Sequence, residues 1–171
     1  PQEQLDALPL GRLDFIGMNI YNSVMVRAGA NGKPEFCPRA AGHPRTAIGW
    51  PITPESMEWG TRFIWERYGL PIYITENGIS CTDSIHLDGM VHDPARIDFI
   101  HRYLLALRRA IDSGVDVRGY FHWSLLDNFE WSEGYNERFG LFYLDYATGK
   151  RTPKDSAAWY AKVAETNGKN L

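Results

Sequence analysis

Cysteine is scarce: Cys37 and Cys81 are the only two in 171 residues, far apart and without a companion Cys or His at ligand spacing. That excludes a disulfide-built scaffold and a cysteine zinc site, and leaves either free thiols in a reducing compartment or one long-range disulfide. Excess charge is missing too. Lysine and arginine total 18 against 21 acidic residues, a net charge of −3, and no run of like charges offers a surface to nucleic acid or an anionic membrane. No apolar run is long enough to span a bilayer, and the opening PQEQLDALPL lacks the basic region and apolar core of a secretory leader. Cytoplasmic residence is the expectation. Internal repeats, low-complexity tracts and interdomain linkers are also absent, so residues 1–171 read as one unit.

Aromatic residues are what the chain has in excess. Six Trp, nine Tyr and eight Phe make up 13% of it, and several of them cluster with carboxylates in the second half rather than within apolar runs. Sugar sites combine these groups, because aromatic faces pack on the apolar face of a pyranose while carboxylates accept hydrogen bonds from its hydroxyls. A large aromatic core would account for the same composition.

Order along the chain narrows the fold. LDFIGMNIY (13–21) has the composition of a strand, and residues 22–53 carry too many Gly and Pro for a regular element. Thr53-Pro54 supplies an N-cap and first residue for a helix with an apolar stripe of Met57, Phe63, Ile64 and Tyr68, ended by Gly69-Leu70-Pro71. IYITENGIS (72–80) is a second strand, and it ends on a carboxylate, Glu76. Asp93-Pro94 opens another helix with Ile97, Ile100, Tyr103, Leu104, Leu107 and Ile111 at helical spacing, stopped by Gly114. VDVRGYFHWSLL (115–126) is the third strand, residues 139–152 suggest a hairpin around Ala147-Thr148-Gly149, and Asp155 caps a closing helix through Ala164.

This βαβα order predicts an α/β fold, a parallel sheet covered by helices, whose ligands sit at the carboxyl ends of the strands. Tyr21, Glu76 and Trp123 fall at those ends. Alternation turns His122 away from Trp123 into the helix layer, where it should be packed and hydrogen-bonded. His43, His86, His92 and His101 form no ligand spacing, so neither metal nor cofactor is expected. A closed eight-stranded βα barrel takes ~250 residues, and three βα units are well under half of one. Either the sheet is open or a segment is missing.

TENG after a strand, WSLLDNFEWSEGY (123–135) and RFGLFYLDY (138–146) closely resemble the retaining β-glycosidases of glycoside hydrolase family 1. DFIGMNIY resembles that family's sixth barrel strand, PESMEWGTRFIWERYGLPIYITENGIS its seventh with the preceding helix, and VRGYFHWSLLDNFEW its eighth. The RTPKDSAAWY ending fits as well. The resemblance implies the C-terminal part, about strands 6 to 8, of a single (β/α)8 TIM barrel whose N-terminal portion is absent from this chain.

It also implies roles. Glu76 would be the nucleophile that forms a glycosyl-enzyme intermediate, with Tyr21 orienting it and Asn19 nearby. Trp123 would be a sugar platform, Glu130 an acceptor for the O4 and O6 hydroxyls, and Trp131 a neighbour of O3 or O4. Phe139 would close the wall, and Trp50 would stand at the mouth. Glu130 and Trp131 imply unphosphorylated glycosides, since a carboxylate there would repel a phosphate. Retaining hydrolysis needs a second carboxyl group about 5 to 5.5 Å away. In the family it belongs to an Asn-Glu-Pro motif, which does not occur here. The expectation is therefore a β-glucosidase segment acting on terminal β-D-glucosyl, or galactosyl or fucosyl, residues. Its partner would be the N-terminal portion of the barrel, as a separate or cleaved chain. The alternative is a non-catalytic carbohydrate-binding fragment.

Overall fold

The computed structural model describes residues 1–3 and 13–171; residues 4–12, where most of PQEQLDALPL falls, lie outside them. Along the described chain run β1 (Ile16–Asn19), a hairpin of β2 (Val26–Ala28) and β3 (Pro34–Phe36), and helix α1 (Glu55–Tyr68). There follow β4 (Ile72–Asn77), α2 (Pro94–Asp112), β5 (Val117–His122), a hairpin of β6 (Phe142–Leu144) and β7 (Arg151–Pro153), and α3 (Asp155–Glu165). β1, β4 and β5 form one parallel sheet in that order. Alternation of strand and helix requires this, because a parallel neighbour can be reached only by a crossover.

One face of this sheet is covered. Ile72 and Ile74 of β4 are fully buried and cluster with Phe99, Ile100, Tyr103 and Leu107 of α2, each such side chain contributing about 1.5–3 kcal/mol. The opposite face is open, with Phe15 53% and Phe121 58% exposed. Both outer strands, β1 and β5, pair on one side only among the described residues.

Four local expectations are corrected. The 22–53 segment contains β2 and β3, because Gly29 and Gly32 fall in the turn between them and leave the strands intact. Thr53 does not cap α1; Pro54 holds that position, and the Thr53 hydroxyl accepts the Ser23 amide at 2.9 Å instead. Asp155 is the first residue of α3 rather than its cap, its carboxylate being taken by His92 at 2.7 Å. On α1 the buried residues are Met57 and Thr61, with Ile64 and Trp65 packed on the same cluster. Phe63 is 61% exposed, since it sits 100° round the helix from Ile64.

Candidate active site

A one-residue irregularity decides where Glu76 goes. Strict alternation from Ile72 and Ile74 would send it into the helix layer. Instead the buried series runs Ile72, Ile74, Asn77, and both the β1–β4 and β4–β5 registers slip just before this point. Such a bulge bends the strand and re-aims a side chain. Asn77 takes the inner place, its amide donating to the Ile20 carbonyl at 2.8 Å while its Oδ1 accepts the Tyr120 hydroxyl at 2.8 Å. Glu76 is freed to meet Tyr21, whose hydroxyl donates to Oε2 at 2.7 Å.

Around this pair stands an aromatic wall. Trp50 lies edge-on to Tyr21 with ring centroids 5.2 Å apart, and Phe139, 2% exposed, is 6.3 Å from Tyr21 and 6.0 Å from Trp50. Trp50 reaches this place because its loop hangs on the segment after β4: the Ala47 amide donates to the Ser80 carbonyl at 3.1 Å and the Ile48 amide to the Ser80 hydroxyl at 2.9 Å. Burial first, then the hydrogen bond and negative charge of Glu76, raise the Tyr21 phenol far above its ordinary value. It therefore remains a donor. Asn19 pairs with Glu76 in register, but its side chain accepts the Thr75 hydroxyl at 2.7 Å and does not bond Glu76.

The third strand brings the indole and the second carboxylate. The Trp123 amide donates to the Asn77 carbonyl at 2.8 Å, fixing the end of β5 against the end of β4. Burial raises the Glu130 carboxyl above its ordinary range; the Trp123 side chain pulls it back, and charge on Glu76 pushes it up again. Trp131 is 80% exposed on a tight turn, at a left-handed φ of 42°, with the Glu130 amide donating to the Gly134 carbonyl at 2.6 Å. Trp131 stands at the rim rather than in the wall.

His122 does turn into the helix layer, 5.8 Å from the Tyr160 ring, and burial lowers its pKa to about 3. It is not hydrogen-bonded as expected: neither ring nitrogen has a partner. The neutral imidazole acts there as an aromatic filler.

Sequence reasoning missed the residues that assemble this rim. Tyr103 reads as core by its spacing, yet its hydroxyl donates to the Tyr21 carbonyl and accepts the Thr53 amide, both at 2.9 Å. At Gly78 a Cβ would come within 1.8 Å of the Trp123 carbonyl oxygen. The one available signal was Asn77-Gly78 following the carboxylate.

Residues 1–169 match the family model described as Glycosyl hydrolase family 1. Beta-glucosidase A of Thermotoga maritima is 46% identical over 160 residues, 92% of this chain and 35% of that protein. A 6-phospho-beta-galactosidase of Streptococcus equi subsp. zooepidemicus is 40% identical, over 90% of this chain and 37% of its own length. The solved structure of the Thermotoga maritima beta-glucosidase in complex with glucoimidazole gives a TM-score of 0.87 at 43% identity, covering 98% of this chain and 38% of that one. The chain thus spans a little over a third of the relatives it matches.

Proposed function

This chain belongs to glycosyl hydrolase family 1, and from that membership we propose that it is the C-terminal segment, 1–171, of a single (β/α)8 retaining β-glucosidase domain. The Tyr21–Glu76 hydrogen bond of 2.7 Å, at the carboxyl ends of neighbouring parallel strands, carries the reading. A nucleophile must be fixed beneath the anomeric carbon, and a phenol that stays protonated supplies the hydrogen bond that fixes its rotamer.

In this reading Glu76 attacks the anomeric carbon, displaces the aglycone and forms a glycosyl-enzyme that water then hydrolyses. Trp123, Glu130, Trp131, Phe139 and Trp50 hold the glycone, while Asn19 buttresses the nucleophile strand through Thr75. The group that protonates the leaving oxygen comes from an upstream portion of the barrel, on the same polypeptide before cleavage or on a separate chain. The edges of β1 and β5, open among the described residues, and the exposed Phe15 and Phe121 support such a partner. Terminal β-D-glucosyl residues are the proposed substrates, with galactosyl or fucosyl residues as further ones. A 6-phospho-beta-galactosidase stands among the relatives, but the Glu130 carboxylate favours unphosphorylated sugars. Unpaired Cys37 and Cys81 fit a reducing compartment, and cytoplasmic residence is part of the proposal.

The test is covalent labelling. The chain, with and without the upstream portion, is incubated with a 2-fluoro glucoside bearing a good leaving group and mapped by peptide mass. The added mass belongs on Glu76, and only in the completed enzyme. Label elsewhere refutes the assignment, while sugar binding with no label in the completed enzyme favours the non-catalytic alternative.

A further inference from the structure

Behind the rim lies a buried lattice of six charges, three of each sign. Arg96 and Lys154 are fully buried, as are Asp93 and Asp127; Asp83 is 3% exposed and Arg138 16%. Lys154 Nζ donates to Asp83 at 2.6 Å and to Asp127 at 2.8 Å. Arg96 donates to Asp83 at 2.6 Å, to Asp93, and to the Arg138 carbonyl at 2.9 Å. Asp93 also accepts the Ser156 amide at 2.8 Å and hydroxyl at 2.6 Å. The helix starts of α2 and α3 are thereby tied to the loops after β4 and β5.

Asp127 is where this lattice meets the site. Its Oδ1 accepts the Gly140 amide at 2.9 Å and its Oδ2 the Arg138 guanidinium at 2.6 Å. Residues 127 and 140 are thus held together, and the loop that projects between them carries Glu130 and Trp131. The approach is so close that a Cβ on Gly140 would fall 2.2 Å from the Asp127 amide nitrogen. On the other side, Asp83 lies seven residues after Glu76, and the Cys81 amide donates to the Arg138 carbonyl at 3.1 Å. Burying ion pairs yields little net stability, because desolvation offsets their attraction. What charge-assisted bonds do supply is direction.

We infer that Asp127, Lys154 and Arg138 are positioning residues that pin the 128–137 loop, and so set where Glu130 meets the sugar relative to Glu76. None of the three touches the substrate. This rests on the proposed sugar-facing role of Glu76, Glu130 and Trp131.

The charge-balanced double variant Asp127→Asn with Lys154→Met removes one group of each sign and leaves no newly isolated lysine. Two quantities are read from it: amide hydrogen exchange in the 171-residue chain, and kcat/KM for an aryl β-glucoside over an aryl β-xyloside in the chain completed by its upstream portion. Exchange in residues 128–137 should accelerate at least about tenfold while α1 and α2 keep their protection. The glucoside-to-xyloside ratio should fall about tenfold, since the xyloside lacks the hydroxymethyl group that Glu130 would hold. General destabilisation would lower both rates alike and leave the ratio unmoved.

Unchanged exchange, or faster exchange with an unchanged ratio, overturns the inference. If the unaltered completed enzyme turns over neither glycoside, the proposed function fails and the exchange result alone decides the pin. Should the double variant not fold, Arg138→Met is read by the same two criteria.

Discussion

Between Tyr21 and Glu76 a single proton, donated by the phenol, holds the carboxylate in its place. Removing it as Tyr21→Phe deletes a hydrogen bond to a charged acceptor, worth about 1.5–3 kcal/mol, without opening a cavity. The completed enzyme should form its glycosyl intermediate about 10- to 100-fold more slowly, read by the rate of 2-fluoro glucoside labelling, and its melting temperature should fall by about a few degrees. Gly78 presents the opposite case, where shape alone decides. Gly78→Ala places a methyl 1.8 Å from the Trp123 carbonyl oxygen, so the β4 and β5 ends must part. A loss of about 3 kcal/mol in denaturant unfolding is expected. A variant as stable as the parent would mean that the two loops are free to separate.

At the scale of elements, one histidine adds a charged clamp to the bonds that already join the loop before α2 to the start of α3. His92 lies 2.9 Å from Asp88 and 2.7 Å from Asp155, and these two hydrogen bonds raise its pKa from 6.5 to about 9. The charged imidazole is favoured in the folded state. Its contribution is therefore complete below about pH 6.5, fades as the pH climbs, and is gone above about pH 9. On the acid side the hydrogen bond from His92 holds Asp88 below its usual value, so the pair survives until the pH falls through that lowered value. Melting temperatures of the parent and His92→Gln should differ most from pH 5 to 6.5, by the small amount an exposed ion pair contributes, and converge above about pH 9. A pH-independent difference would show that packing, not charge, holds the clamp.

For the molecule as a whole, the decisive feature is a sheet with one covered face and one open one. Phe15 and Phe121 on the open face and the edges of β1 and β5, unpaired among the described residues, predict that the isolated chain self-associates. Sedimentation velocity should show species above monomer mass that give way to a defined complex when the upstream portion is added. A clean monomer at high concentration would contradict this. Much of this architecture was legible in the amino-acid order. The periods of the apolar residues from 72 to 74 and from 97 to 107 set strand and helix, and their alternation set a parallel sheet with Tyr21, Glu76 and Trp123 at one rim. TENG at 75–78 together with the long motifs at 123–135 and 138–146 set the family. Sequence could not reveal what depends on residues far apart in the chain meeting in space. The bulge that turns Glu76 out and Asn77 in exists only because β4 must satisfy two neighbours at once. The burial of Arg96 and Lys154 follows only from three carboxylates, Asp83 and Asp93 from the loop after β4 and Asp127 from the loop after β5, neutralising them in one place. Local order is fixed by spacing along the chain, whereas the aim of a side chain and the survival of a buried charge are fixed by partners that folding alone brings within reach.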